Sequence, residues 1–370
     1  MEKYWTLESI NINVGVKMSK DIKVLMIGPA RNVKGGMTSV VDNYYKAGLN
    51  KKVNIKYIET INDKSKIEKL LKEVLGYIEF LKNIKKFDIV HVHMASGRST
   101  YRKCHYINIA KKNNKKVVLH VHGGGFKEFF EKECSNKQKK FIMNTFNKCD
   151  KIIVLSHKWK EYFSQYISSD KIKIVYNGVK IPQDYEKKLN AKKIIFLGRI
   201  SRDKGIYDLL KAMSYLVGKY NDIELTIGGI GEEKKLYSLI EKYNLKNNVK
   251  ILGWLNEEKK CEELKKSSLF ILPSYFEAMP ISILEAMSYK NVIISTNVGG
   301  IPEIIDNGRE GILIEPGNIK QLYATIERFI NNEYDLKKFS EEAMKKVKKY
   351  FDINESISEI YKIYDLLIEK

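Results

Sequence analysis

The sequence predicts an α/β protein of two doubly wound, Rossmann-like domains. Three observations carry that expectation. A chain of 370 residues exceeds the ~100–200 residues of one compact domain, so two domains are expected. Short β-branched apolar runs alternate with longer segments of helical periodicity, which is the pattern of βα units and parallel sheets. That pattern occurs twice, on either side of a charged stretch that contains Pro182.

Residues 1–20 lack the apolar run of a secretory signal, being interrupted by Glu8 and Lys17, and read as an N-terminal extension. The first domain is expected over residues 21–180, with strands at Ile22–Ile27, Val53–Ile58, Ile89–Val92, Val117–Val121, Ile152–Leu155 and Ile172–Val175. Residues 181–193 read as the linker. The second domain, residues 194–370, repeats the layout at Ile194–Leu197, Leu225–Ile227, Val249–Leu252, Leu269–Leu272, Val292–Ser295 and Ile312–Ile314. A last helical segment, Ser356–Ile368, follows every strand, and the pattern leaves it free to lie on either domain.

Two helical segments of the first domain are amphipathic and basic. In Ile67–Phe87 the apolar residues Ile67, Leu70, Leu71, Val74, Leu75, Ile78, Leu81 and Ile84 fall three and four apart with lysines between them. The ordinary expectation is a helix packed on the sheet with a solvated lysine face; contact with a membrane surface is the other reading. Phe126–Lys148, where phenylalanines alternate with lysines, admits the same pair of readings.

Composition narrows the function classes. Hydrophobic residues at 44% and charged residues at 30% fit a folded, non-membrane-spanning chain, and no stretch approaches the ~18 apolar residues of a span. Cys104, Cys134, Cys149 and Cys261 show no C-x-x-C spacing, so reduced thiols in a cytosolic protein are expected rather than disulfides or a zinc knuckle. Residues 1–180 hold 36 Lys and Arg against 16 Asp and Glu, a surplus of 20, whereas residues 181–370 hold 30 against 29. A genome-wide lysine bias would load both halves alike. The first half is therefore expected to meet an anionic partner: nucleic acid, an anionic membrane or a phosphorylated substrate.

In open parallel sheets, ligands bind where strands end and helices begin. After the first strand, Gly35-Gly36 stands before a helical run and lets N–H groups approach an anion. The spacing is not G-x-G-x-x-G, and only Glu59 closes the second strand, so a dinucleotide fingerprint is poorly supported. His91/His93 and His120/His122 form two H-x-H pairs at strand ends, each pair on one strand face. No Asp, Glu or Cys stands beside them, so no metal is expected there. His122, followed by Gly123-Gly124-Gly125, reads as an active-site group, and His91 or His93 as structural. In the second half, Gly198-Arg199-x4-Lys204-Gly205 places cations where they could clamp a diphosphate. Glu277 and Glu285 lie eight apart across a turn and into a helix, able to reach different hydroxyls of one polyol, with helix-start N–H groups between them. A third turn, Gly299-Gly300-Ile301-Pro302-Glu303, follows another strand.

Together with Tyr176-Asn177-Gly178-Val179, these motifs resemble the retaining GT-B glycosyltransferases of the group 1 family, glycosyltransferase family 4. The resemblance runs from Lys23 to the C-terminus and is densest in the second half; the first half matches through Gly35-Gly36, Asp88-Ile89-Val90-His91-Val92-His93 and His122-Gly123. It implies the GT-B fold, two Rossmann-like domains facing a central cleft, in which the first domain binds the acceptor and the second the donor. Arg199 and Lys204 would hold the donor diphosphate, Glu277 a hydroxyl of the transferred sugar, and Glu285 the nucleotide ribose. Ala278, Met279, Pro280 and Ile281 would line the donor site, and Gly35, Gly36 and His122 would face it across the cleft, with His122, Glu277, Arg199 and Lys204 carrying catalysis. The expected reaction moves a hexosyl unit from a nucleotide diphosphate sugar, with a UDP-sugar favoured, to a lipid-linked or saccharide acceptor in bacterial surface polysaccharide synthesis. No D-x-D occurs, so a metal-independent site with no cofactor is expected. The basic first domain is expected on the inner face of the cell membrane. The alternatives are a sugar-nucleotide epimerase or hydrolase of the same fold and a basic nucleic-acid-binding protein; against the latter, no helix-turn-helix, RRM or zinc motif is present.

Overall fold

In the computed structural model residues 22–369 are described, and the expected extension at residues 1–20 lies outside them. The first sheet is six-stranded: β1 (Lys23–Gly28), β2 (Asn54–Glu59), β3 (Ile89–Met94), β4 (Lys116–Val121), β5 (Lys151–Val154) and β6 (Ile172–Ile174), in the order β2-β1-β3-β4-β5-β6. The second contains β7 (Lys193–Leu197), β8 (Glu224–Gly228), β9 (Val249–Gly253), β10 (Leu269–Leu272), β11 (Val292–Thr296) and β12 (Gly311–Ile314), in the order β12-β11-β10-β7-β8-β9. Every pairing is parallel. Because helices cover both faces, β3, β10 and β11 are buried along their whole length; β10 is accordingly apolar throughout, whereas β3 buries His91 and His93 and β11 ends in Ser295-Thr296.

Strand order reverses at β1/β3 in the first sheet and at β7/β10 in the second. Crevices open at such switch points, so the loops after these strands are the natural ligand loops. The last helix, Ile353–Ile368, crosses back onto the first domain. Val179 donates to the Phe351 carbonyl (2.9 Å), Ile353 donates to the Val179 carbonyl (3.0 Å), and the Ser356 hydroxyl donates to the Tyr176 carbonyl (2.8 Å). A Cβ on Gly178 would lie 2.6 Å from Ile353 Cα, so a glycine is required where the two segments cross.

Two expectations need correction. The segment Ile67–Phe87 is a helix over Lys66–Asn83 and a short 3-10 turn over Ile84–Lys86, but its apolar face does not pack on the sheet. Ile67, Leu70, Leu71, Val74, Leu75, Ile78 and Leu81 are between 42% and 81% exposed. Only Gly76 and Phe80 of that helix are buried: a Cβ on Gly76 would lie 2.5 Å from the Glu59 carbonyl oxygen, and Phe80 meets Tyr106 edge-on at 4.9 Å. Phe126–Lys148, in contrast, is broken at Cys134-Ser135, where Ser135 caps a new helix, Asn136–Asn147. Phe126, Phe129, Phe130 and Phe146 are buried against one another and Phe163, leaving Phe141 as the exposed phenylalanine of the segment, so this segment offers no apolar face to a membrane. The four cysteines are free thiols, three of them buried.

Candidate active site

The site is built from loops that follow strands of both sheets. After β1 the chain enters the helix Gly36–Lys46, with Gly35 as its N-cap. Nothing lies within 4 Å of where a Cβ would stand on Gly35 or Gly36, so the helix start is open. After β7, Arg199 is exposed, and a 3-10 turn, Arg202–Lys204, ends at Gly205 with φ 69°. A Cβ on Gly205 would lie 2.0 Å from the Pro273 carbonyl oxygen, so glycine alone lets this turn lie against the loop after β10. That contact brings Lys204 Nζ within 2.6 Å of Glu277 Oε1, which also accepts from the Ser274 hydroxyl at 3.0 Å.

Backbone contacts from three other segments fix Glu277–Met279. Asn177 Nδ2 donates to the Met279 carbonyl (2.9 Å), and Gly300 N–H donates to the Ala278 carbonyl (2.8 Å). Gly299, at φ 56°, passes so close that a Cβ there would lie 1.6 Å from the Glu277 carbonyl oxygen. From the first domain Gly124 abuts the same peptide, its absent Cβ 2.4 Å from the Glu277 carbonyl carbon. Glu277 thus sits at the seam between the domains, beside the His122–Gly125 loop.

Glu285 lies in the helix Ile281–Ser288 and pairs with Lys260 of the helix Glu257–Lys266 at 2.5 Å. Burial opposes the charge on Lys260, but the Glu285 carboxylate and its hydrogen bond outweigh it and hold the ammonium above its usual range. Glu277 and Glu285 therefore each carry a lysine partner. Glu59 accepts from Arg31 N–H (3.1 Å) and pairs with Lys72 (2.6 Å), a local structural role. Glu303, from the third turn, accepts from His157 N–H (2.9 Å) and Lys158 N–H (3.1 Å), tying the second domain to a helix of the first.

Four of the six histidines form one stack under the cleft. His91, His93 and His120 are fully buried and His122 is partly exposed. His93 Nδ1 lies 2.8 Å from His122 Nε2, and the His120 and His122 rings stack at 4.1 Å. Burial pushes the imidazoles of His91 and His122 down to about 3, and those of His93 and His120 well below the usual value. All four are neutral near pH 7, so His122 meets the cleft as a hydrogen-bonding group and not as a cation. Both His91 and His93, rather than one of them, lie in the core.

Sequence reasoning missed Lys260, Ser274 and the positioning role of Gly124. Lys260 sits in a Lys/Glu-rich helix where nothing distinguishes it, and Ser274 matters only because the turn folds it back on Glu277. Asn177 stood within a noted motif, but its partner, a carbonyl 102 residues away, is set by domain packing.

The model for glycosyl transferases group 1 matches residues 179–346, and that for glycosyltransferase family 4 matches residues 50–182. The chain belongs to the group 1, family 4 glycosyltransferases. Among curated relatives of this transferase, the Escherichia coli UDP-Gal:alpha-D-GlcNAc-diphosphoundecaprenol alpha-1,3-galactosyltransferase is 26% identical over 81% of this chain and 82% of its own length. Among solved structures, sucrose-phosphate synthase from Thermosynechococcus elongatus superposes with a TM-score of 0.79 at 17% identity, covering 94% of this chain and 99% of its own. HepE of Anabaena, solved with UDP and glucose, gives 0.72 at 17% identity over 92% and 99%. The two facing sheets of the transferase are the GT-B fold. Its cleft combines an open helix N-terminus, an exposed Arg199, a lysine–carboxylate pair and neutral imidazoles, a set suited to binding an anionic, hydroxyl-rich ligand.

Proposed function

We propose that the chain transfers a hexosyl unit from a UDP-sugar to a lipid-linked saccharide diphosphate at an anionic membrane surface, with retention of configuration. The observation that carries the reading is the Lys204–Glu277 pair held at the seam between the domains (2.6 Å). In this reading Arg199 and Lys204 meet the donor diphosphate. Glu277, freed from part of its bond to Lys204 when phosphate arrives, accepts from a sugar hydroxyl. Glu285 takes the ribose, and Gly35 and Gly36 present N–H groups across the cleft. The leaving phosphate takes the acceptor proton at the front face. Cations and helix-start N–H groups meet the developing charge, so turnover in EDTA is expected to equal turnover in excess Mg²⁺. The named substrates of the E. coli relative, UDP-Gal and a diphosphoundecaprenol-linked sugar, support both ends of the assignment.

The membrane part rests on the helix Lys66–Asn83. Among the described residues no helix is long and apolar enough to cross a membrane. This one instead leaves its apolar stripe outside, bordered by Lys66, Lys69, Lys82, Lys85 and Lys86, as a surface-lying helix does. Each lysine near an anionic surface contributes about 1 kcal/mol. The full chain is expected to sediment with phosphatidylglycerol vesicles at low salt, to be weakened by high salt, and to lose binding in Leu71→Glu/Ile78→Glu. A stable dimer that the same double change dissociates would assign the stripe to a second copy instead. Transfer itself is tested with UDP-hexoses and an undecaprenyl-diphosphate-linked sugar; release of free hexose with no glycolipid product would overturn the acceptor assignment.

A further inference from the structure

We propose that His91, His93 and His120 form a binding site for one divalent transition-metal ion of the zinc class. The argument is independent of the donor and acceptor assignments. His91 and His93 are two residues apart on β3 and share a sheet face, and His93 is the direct partner of His120 across the β3–β4 ladder. The register thus gathers three imidazoles from two strands. One ring nitrogen from each lies within 4.8 Å of the other two. His91 Nε2 and His120 Nδ1 are 3.3 Å apart, close to the ~3.3 Å edge of a tetrahedron with metal–nitrogen bonds of ~2.0–2.1 Å.

The surroundings also suit a metal. The His91 Nδ1 side is held by the Tyr364 hydroxyl (2.5 Å), the kind of outer hydrogen bond that orients a ligating imidazole and leaves its other nitrogen for the ion. His93 Nε2 and the Tyr44 hydroxyl are buried with no hydrogen-bond partner among the described residues. Polar atoms are seldom left so in a core, and ligation would satisfy a nitrogen. Imidazole sets suit zinc, copper, nickel and iron. The expectation of no metal rested on the missing acidic neighbour; strand register supplies a third imidazole in its place. An ion here would staple the strand ends below the cleft to the last helix through Tyr364.

The test uses the full chain without a polyhistidine tag, stripped of metal and titrated with Co²⁺. One Co²⁺ per chain with the visible absorption of a tetrahedral nitrogen site is expected, displaced by Zn²⁺, and Zn²⁺ should raise the melting temperature. His93→Gln should abolish the spectrum, Tyr364→Phe should weaken binding ~10–100-fold, and exposed His105→Gln should leave it intact. Absence of both the spectrum and the melting shift in the unmutated chain overturns the proposal without reference to any variant. So does a spectrum that survives in His93→Gln.

Discussion

At the residue scale, the site depends on a few side chains whose partners are fixed by backbone contacts. Arg199→Ala and Lys204→Ala are each expected to lower kcat/KM by about 30- to 1,000-fold, equivalent to ~2–4 kcal/mol of transition-state stabilisation. Steady-state kinetics across donor concentration checks this, and unchanged rates in both would remove the donor-site assignment. Glu277→Gln should lower turnover while keeping a cooperative melt, because the carboxylate is held by Lys204 and Ser274 and supports no core packing. Gly299→Ala should behave differently. Its Cβ would collide with the Glu277 carbonyl and the residue is held at φ 56°, so loss of stability is expected along with loss of activity.

At the element scale, the two helical segments singled out in the first domain had similar patterns and opposite fates. In Lys66–Asn83, Leu71→Ala is expected to change stability by less than ~0.5 kcal/mol, since Leu71 is exposed, whereas Phe80→Ala should cost ~3–5 kcal/mol. Urea melts of the two variants decide whether the stripe faces outward. The paired strands β3 and β4 carry a pH signature. His91 and His122 have folded values of about 3, below the ordinary 6.5, so between those values the unfolded chain binds more protons. Stability is therefore fully present above about 6.5 and is lost as pH falls toward 3. Near pH 5.5 the loss is ~1.4 kcal/mol per buried histidine, and His122→Gln should make the slope shallower.

At the scale of the whole molecule, the domains are joined by glycine contacts, Asn177, Glu303 and the returning last helix. The linker adds a further signature. Lys187 donates to the carbonyls of Leu264 (2.9 Å) and Tyr289 (2.6 Å), yet burial, helped by the nearby Lys290 charge, pulls its ammonium down to about 7. Between about 7 and the ordinary 10.5 the unfolded chain holds the extra proton, so this group makes stability rise with pH across that window. In Lys187→Met that rise should be reduced, as thermal melts from pH 7 to 10 would show. Gly124→Val should keep each domain folded but hold the cleft apart, seen as a larger radius of gyration and a raised donor KM, because its side chain would enter the Glu277–Ala278 peptide.

The sequence by itself determined the twelve strands, to within about two residues at each end, and the two-domain order. It could do so because a strand covered on both faces is mostly β-branched and apolar, and because glycine and charge collect where such strands end. Arg199, Lys204, Glu277 and Glu285 could be singled out as candidates for the same reason: they come after strands, and their spacing is local. What each carboxylate pairs with was not legible, since Lys204 and Glu277 are 73 residues apart and meet only through the Gly205–Pro273 contact. The direction of the amphipathic stripe was equally hidden. Periodicity states that one face of a helix is apolar, but only the packing of Gly76 and Phe80 against the first domain decided that this face points away from the core. The histidine cluster lies between the two cases. Each H-x-H pair fixes its own face by alternation, and the β3–β4 register, a tertiary fact, decided that the two pairs share one.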